Sequence, residues 1–305
     1  MAVKGLLHYA LEVPDPGKGE AFYRDFGLRS AEGGGRALRL EAGEGCGGPL
    51  LYEGPAKRLH HVAFAAPGDH YAAVRAALKT AGIPEIDPPK DAPDAGIWLR
   101  DPDGNLINIR REAPRSLAAE ASLPYNGPGN ATRKGARGMP SFERATPRRL
   151  GHVLFFTPDP AAAERFYTGI LGFRVSDRVP GLLSFLRCGT DHHTLAFGKS
   201  SHRGFHHASY EVGSFDEVGM GGMWMRERGW QPAWGMGRHA IGSNVFYYIR
   251  DPWGSYAEYF HDIDHIPEDM AWEPRDWDPK YALYCWGPDV PADFIENKEA
   301  PPAQR

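Results

Sequence analysis

The chain repeats itself, and this constrains its fold more than any other feature. Residues 6–28 read LLHYALEVPDPGKGEAFYRDFGL, and residues 150–173 read LGHVLFFTPDPAAAERFYTGILGF. Both carry a histidine in an apolar run, then Pro-Asp-Pro, then a stretch ending in Phe-Tyr and a glycine turn. A second pair follows, RLHHVAFAAPGDHYAAVRAAL at 58–78 and GFHHASYEVGSFDEVG at 204–219. A third is WLRDPDGNLINI at 98–109 and YIRDPWGSYAEYF at 248–260. Three matched segments in the same order mark duplicated domains.

Local patterns agree between the halves. LHYALEV and GHVLFFT alternate as strands do. Pro16 and Pro160 stand where first-turn prolines open helices, with Asp15 and Asp159 as N-caps. Arg-Asp-Pro-x-Gly is a turn in which Asp and Pro set the geometry and Gly supplies a positive φ. The alternating runs NLINIR and SYAEYF follow it. Each half therefore predicts two strand–helix–strands units of α+β type.

The boundaries follow from the repeats: an N-terminal two-module domain at 1–115, a linker at 116–147, a C-terminal domain at 148–262 and a tail at 263–305. The linker is rich in Pro, Gly, Ala and Arg and lacks periodicity. The tail holds Trp272, Trp277 and Trp286, which call for burial, so it is expected to be ordered and packed on the C-terminal domain. Only its last residues read as disordered.

Composition narrows the class. A net charge of -4 offers no basic patch for nucleic acid. Cys46, Cys188 and Cys285 are scattered and odd in number, which argues against a disulfide framework and for a reducing, cytoplasmic setting. The opening residues do not read as a signal peptide, and no window approaches the apolar length of a membrane span.

Five motifs of the C-terminal half carry chemistry: GHV at 151–153, DHHTLAF at 191–197, FHHASYEV at 205–212, GRH at 237–239 and FYYIRDPWGSYAEYF at 246–260. In this order they resemble the type I extradiol dioxygenases of the vicinal-oxygen-chelate superfamily. The tail segment WGPDVPADF resembles the branch holding metapyrocatechase II and trihydroxytoluene oxygenases. The resemblance implies an α+β fold of four βαβββ modules paired into two similar vicinal-oxygen-chelate domains, with His152, His207 and Glu258 as metal ligands. Two imidazoles and one carboxylate leaving open positions suit non-haem Fe(II), and the same ligands hold Mn(II). It also implies that His193 is an acid–base residue, that His239 bonds oxygen or substrate, and that Tyr248 bonds a catecholate oxygen. His192 and Tyr247 are the adjacent alternatives. His206 is expected to point away from the metal, into packing or hydrogen bonding. Leu154, Phe185, Trp234, Ile241 and parts of the tail are candidate pocket walls, which suggests an apolar ring substituent. The implied partners are a small aromatic diol and O2, in a homo-oligomer.

Two features modify the picture. Relatives place Asn or Asp soon after GRH, whereas here the run is Ala240-Ile241-Gly242-Ser243, which puts a polar substrate contact from this loop in doubt. In the N-terminal half the ligand positions fall on His8, His61 and Asn108, and a neutral amide is a weak ligand. That site reads as vestigial. The competing readings on the same fold are a metal-dependent glyoxalase-type isomerase, a keto-acid-dependent oxygenase resembling 4-hydroxyphenylpyruvate dioxygenase, and a non-catalytic drug-binding protein.

Overall fold

The computed structural model describes residues 2–32, 35–93, 95–115, 117, 125–138 and 144–299. Much of the expected linker, and the chain from residue 300 that reads as disordered, lie outside the described residues. The fold is α+β, with two mixed sheets and four α-helices.

In the first half, β1 (Gly5–Val13), α1 (Pro16–Asp25), β2 (Arg29–Ala31), β3 (Leu38–Glu41) and β4 (Pro49–Glu53) form one unit. The next consists of β5 (Arg58–Ala65), α2 (Asp69–Ala81), β6 (Ile97–Arg100) and β7 (Leu106–Arg110). Their seven strands order as β2-β3-β4-β1-β5-β7-β6. The second half begins with β8 (Arg149–Thr157), α3 (Pro160–Gly169), β9 (Arg174–Val179), β10 (Leu183–Arg187) and β11 (Leu195–Lys199). It continues with β12 (Gly204–Glu211), α4 (Phe215–Glu227), β13 (Pro232–Arg238), β14 (Val245–Arg250) and β15 (Tyr256–His261). These strands and a short β16 (Arg275–Asp276) from the tail order as β13-β14-β15-β12-β8-β11-β10-β9-β16.

The predicted local devices are present. Asp15 and Asp159 accept from the backbone N–H of Lys18 at 2.9 Å and Ala162 at 3.0 Å, with proline in each first turn. Asp101 Oδ1 accepts from the N–H groups of Asp103 and Asn105, and Asp251 Oδ1 from those of Trp253 and Ser255.

One module departs from the expected βαβββ plan. Among the described residues, β6 and β7 are the only strands that follow α2 in its unit. The intervening segment holds Pro84, Pro88, Pro89 and Pro93, which cannot donate to a ladder. Its Ile86 N–H still donates to the Trp98 carbonyl at 2.8 Å.

The repeat extends to an irregularity. On β12, Phe205 faces Phe155 and His207 faces Leu154, so His206 is an extra residue. On β5, Leu59 faces Leu11 and His61 faces Ala10, so His60 is the extra residue. A β-bulge re-aims side chains, and here it interrupts the strict alternation of each His-His pair.

The halves interlock. The Phe26 and Tyr259 rings stack at 3.8 Å between centroids. Lys57 donates to the Phe205 carbonyl at 2.9 Å, and Arg203 to the Asp103 carbonyl at 3.0 Å. The Tyr167 hydroxyl on α3 donates to Asp101 at 3.2 Å. No described helix is long and apolar enough to cross a membrane.

Candidate metal centre

Three adjacent strands in the middle of the second sheet, β15, β12 and β8, build the centre. Ser209 of β12 faces His152 of β8 on one side and Glu258 of β15 on the other. Cross-strand partners share a face, and His207 shares it by lying two residues before Ser209. All three candidate ligands are buried, Glu258 completely.

Their ligand atoms lie within 4.8 Å of one another, the one such metal-capable group found among the described residues. Glu258 Oε2 stands 3.2 Å from His152 Nε2 and 3.5 Å from His207 Nε2. Yet Glu258 Oε2 and His207 Nε2 are buried without a hydrogen-bond partner. Leaving such atoms unsatisfied costs about 1–3 kcal/mol each. A divalent cation between them removes that cost, so the donor set fits a metal, and its two imidazoles and carboxylate suit Fe(II), with Mn(II) also compatible. Burial pushes the Glu258 carboxyl up, but the His152 and His239 imidazoles outweigh it and hold it below the usual carboxylate range. Burial and the neighbouring His206 push His207 well below the usual imidazole range. Both groups are thus kept in ligand form.

Around the triad the structure brings His193, His239 and Tyr248 together. Tyr248 on β14 faces Glu258 directly, and its hydroxyl stands 3.0 Å from His239 Nε2. Tyr247 packs instead against α4 at Gly222. His239 follows β13, and its Nδ1 bonds the Leu283 carbonyl at 2.7 Å. The His192-His193 pair lies just before β11 rather than on it, so strand alternation does not separate the two rings. Instead, the His192 Nε2 lies 3.3 Å from Asp177 Oδ2, while His193 packs on His152 at 4.2 Å between centroids and lines the cavity. Gly242, at φ 85°, approaches this pair so closely that a Cβ would meet His193 at 3.2 Å.

The cavity above the triad measures about 300 Å³ and is mostly apolar. Leu154, Phe185, Trp234 and Ile241 all line it. The tail contributes Pro279, Ala282, Leu283, Phe294 and Ile295 to its lining. Trp272 and Trp277 are half-buried, donating to the Ser176 carbonyl and to Asp177. Trp286, expected to be buried, is 43% exposed. Its backbone bridges Arg238, and its ring lies tilted near Phe215, 6.2 Å between centroids.

Two residues escaped sequence reasoning. Ser209 stands between two ligands in register, which only the strand pairing reveals. Asn244, just beyond the apolar loop after GRH, is buried and donates to Glu258 Oε1 at 3.3 Å. The polar residue of this loop therefore serves the carboxylate. His206 lines the cavity with His207, because the bulge defeats the alternation that would turn it away. Its hydrogen-bonding role is as expected, since Nε2 bonds the Phe294 carbonyl at 2.7 Å.

Of the corresponding N-terminal positions, the two histidines face each other and the asparagine bonds the backbone. His8 Nε2 and His61 Nε2 are 3.1 Å apart, and the Asn108 amide donates to the Ala95 carbonyl at 2.9 Å.

The model of the glyoxalase/bleomycin resistance protein/dioxygenase superfamily matches residues 5–109 and 149–259. The chain is also 41% identical to metapyrocatechase 2 of Cupriavidus necator, over 98% of this chain and 93% of that protein. The chain belongs to this superfamily, among its type I extradiol ring-cleavage dioxygenases. Solved structures share the fold. A Mn(II)-bound glyoxalase from Novosphingobium aromaticivorans superposes with TM-score 0.78 at 23% identity, covering 99% of this chain and 96% of that one. A halotolerant catechol dioxygenase does so with TM-score 0.75 at 20% identity, covering 96% of each. In this extradiol dioxygenase the whole candidate ligand set comes from one half of the chain.

Proposed function

We propose that the chain uses Fe(II) and dioxygen to open a catechol-type ring beside its vicinal diol, and that the ring carries an apolar substituent. The observation that supports this most is the buried His152–His207–Glu258 face flooring a largely apolar cavity with His193, His239 and Tyr248 around it. In this reading residues 148–262 form the catalytic domain, 263–305 cover it, and 1–115 support it with a vestigial site. A bound metal at the triad supplies charge stabilisation for the deprotonated diol and a path for electrons from ring to dioxygen.

The chain's own residues handle protons and position. Burial, and then the charge of Glu258, push the Tyr248 phenol well above its usual range. It thus stays protonated and donates to a diol oxygen. Burial, and then His152, push His193 well below the usual imidazole range, so it enters as a neutral base. With Nδ1 3.0 Å from His192 Nδ1, its Nε2 is the atom left to take a proton from the diol and return it to the leaving oxygen. His239 donates Nδ1–H to the Leu283 carbonyl, which leaves Nε2 facing the Tyr248 hydroxyl to hold the phenol until it turns its hydrogen to the diol. Apolar walls exclude water and hold the ring. A glyoxalase-type isomerase would draw ligands from both halves, whereas the candidate set lies in one half, with His8 and His61 facing each other and Asn108 bonded to the Ala95 carbonyl.

The reading includes a cytoplasmic homo-oligomer. Cys46, Cys188 and Cys285 form no disulfide among the described residues, as suits a reducing compartment. Sedimentation of the purified protein tests the assembly. The decisive experiment is anaerobic loading with Fe(II), addition of a panel of catechols, then air. The expected outcome is oxygen uptake with a yellow ring-fission product. Absence of oxygen uptake with every catechol by iron-replete protein refutes the proposal.

A further inference from the structure

The histidine beside a metal ligand has a task of its own. His206 Nε2 lies 2.7 Å from the Phe294 carbonyl, and its Nδ1 lies 2.6 Å from His207 Nδ1. A carbonyl only accepts, so Nε2 of His206 carries the proton. In the neutral ring Nδ1 of His206 is then an acceptor, and the hydrogen facing it belongs to His207 Nδ1. That leaves the lone pair of His207 on Nε2, the buried atom that lacks a partner and lies 3.5 Å from Glu258 Oε2.

We propose that His206 is a positioning residue that passes the acceptor polarity of the tail carbonyl at Phe294 to His207, fixing the ligand in its Nδ1–H, Nε2-donor tautomer. Partners of this kind orient metal-bound imidazoles and raise their basicity. The inference rests on the proposed function only in taking His207 as a ligand.

Three further observations support it. The β-bulge makes the geometry available, since it lets consecutive residues of β12 both line the cavity. The tail carbonyl is itself held: Asn297 donates to the His202 carbonyl at 3.0 Å, and Glu299 accepts from the Phe205 N–H at 3.0 Å while pairing with buried Lys57 at 3.0 Å. The N-terminal copy shows the contrast. His60 and His61 repeat the bulge and the Nδ1–Nδ1 approach at 2.7 Å, but there His61 Nε2 meets His8 at 3.1 Å and Asn108 replaces the carboxylate.

Three substitutions separate the two bonds of His206. His206→Asn places an amide oxygen where Nδ1 stands and keeps the acceptor for His207. His206→Gln places an amide nitrogen where Nε2 stands and keeps the contact to Phe294. His206→Phe keeps neither. Affinity for Fe(II) and Co(II) is measured anaerobically by chelator competition, without substrate or oxygen. The expected result is a loss of about 10–100-fold for the Phe and Gln variants and under about threefold for Asn. Equal affinity in all four proteins overturns the proposal, as does an Asn variant as weak as Phe. Imidazole 15N spectra of the metal-free wild-type protein give a readout that needs no variant. A protonated Nδ1 on His207 is expected, and an Nε2–H tautomer overturns the proposal. Because no turnover is measured, these outcomes stand apart from those of the oxygen-uptake experiment.

Discussion

Substitution of Gly198, which lines the cavity, tests the proposal that the ring carries an apolar substituent. Gly198 lies on β11, opposite Leu183 of β10 and Phe156 of β8. A Cβ built on it would stand 3.5 Å from Leu154 Cδ2 and 3.6 Å from both Leu183 Cδ2 and Phe156 Cδ1, which are ordinary contacts. All three neighbours line the cavity. The backbone here is not in the left-handed region, so no strain opposes a side chain. Gly198→Ala should fold as before, and could gain about 0.5–1 kcal/mol from the lost glycine entropy. Its methyl takes room from the substituent and none from the diol at the metal. One methylene more or less in an apolar pocket changes discrimination by about 1–3 kcal/mol. The added methyl takes the low end, because the cavity of about 300 Å³ leaves some freedom to shift. The expected result is a fall of about tenfold in kcat/KM for bulky alkyl- or arylcatechols, with under about twofold for unsubstituted catechol. Steady-state oxygen uptake across a series of growing substituents, with thermal melting as control, measures this. Equal losses for all catechols, or no loss for the largest substituent with unchanged melting, would refute the reasoning.

Glu258→Gln copies the amide found at Asn108 and should abolish stoichiometric iron binding, read by metal analysis after anaerobic loading; full iron occupancy would contradict the ligand assignment. His193→Ala should retain iron and lose about 10²–10⁴-fold in kcat, the usual worth of acid–base catalysis; loss of iron with residual activity intact would sink the role. Asp101 gives a pH test. Burial pushes its carboxyl up to about 6 from 3.8, so the folded state binds the extra proton between these values. Its stabilisation is complete below about pH 4 and is lost as pH rises through 6, a span worth about 3 kcal/mol at about 1.4 kcal/mol per pH unit. Asp101→Asn does not titrate, so urea unfolding at pH 4 and pH 7 should show the wild type losing about 3 kcal/mol relative to the variant. A constant difference would refute the shift.

The fold and the triad were legible because the repeats place chemistry and turn signals together. His152, His207 and Glu258 each sit inside a segment whose N-terminal twin differs in known ways, and strand pairing then brings them to one face. What failed was the assumption of regular alternation. His206 faces the cavity because a bulge adds a residue, and a bulge leaves no mark in an apolar–polar pattern. The segment after α2 loses its strand to Pro84, Pro88, Pro89 and Pro93, which cannot donate to a ladder. Residue type alone predicts burial for Trp286, whereas its backbone bridges Arg238 and its side chain is exposed. The tail was the least readable part. Leu283 and Phe294 act through their carbonyls, on His239 and His206, and a backbone carbonyl has no sequence signature. Tail and site are thus bound by groups that every residue possesses. A search for motifs finds the ligands but misses these acceptors. In this chain the tail's acceptors face two of the histidines around the triad, so a tail that reads as mere cover also sets which imidazole nitrogens remain free to act.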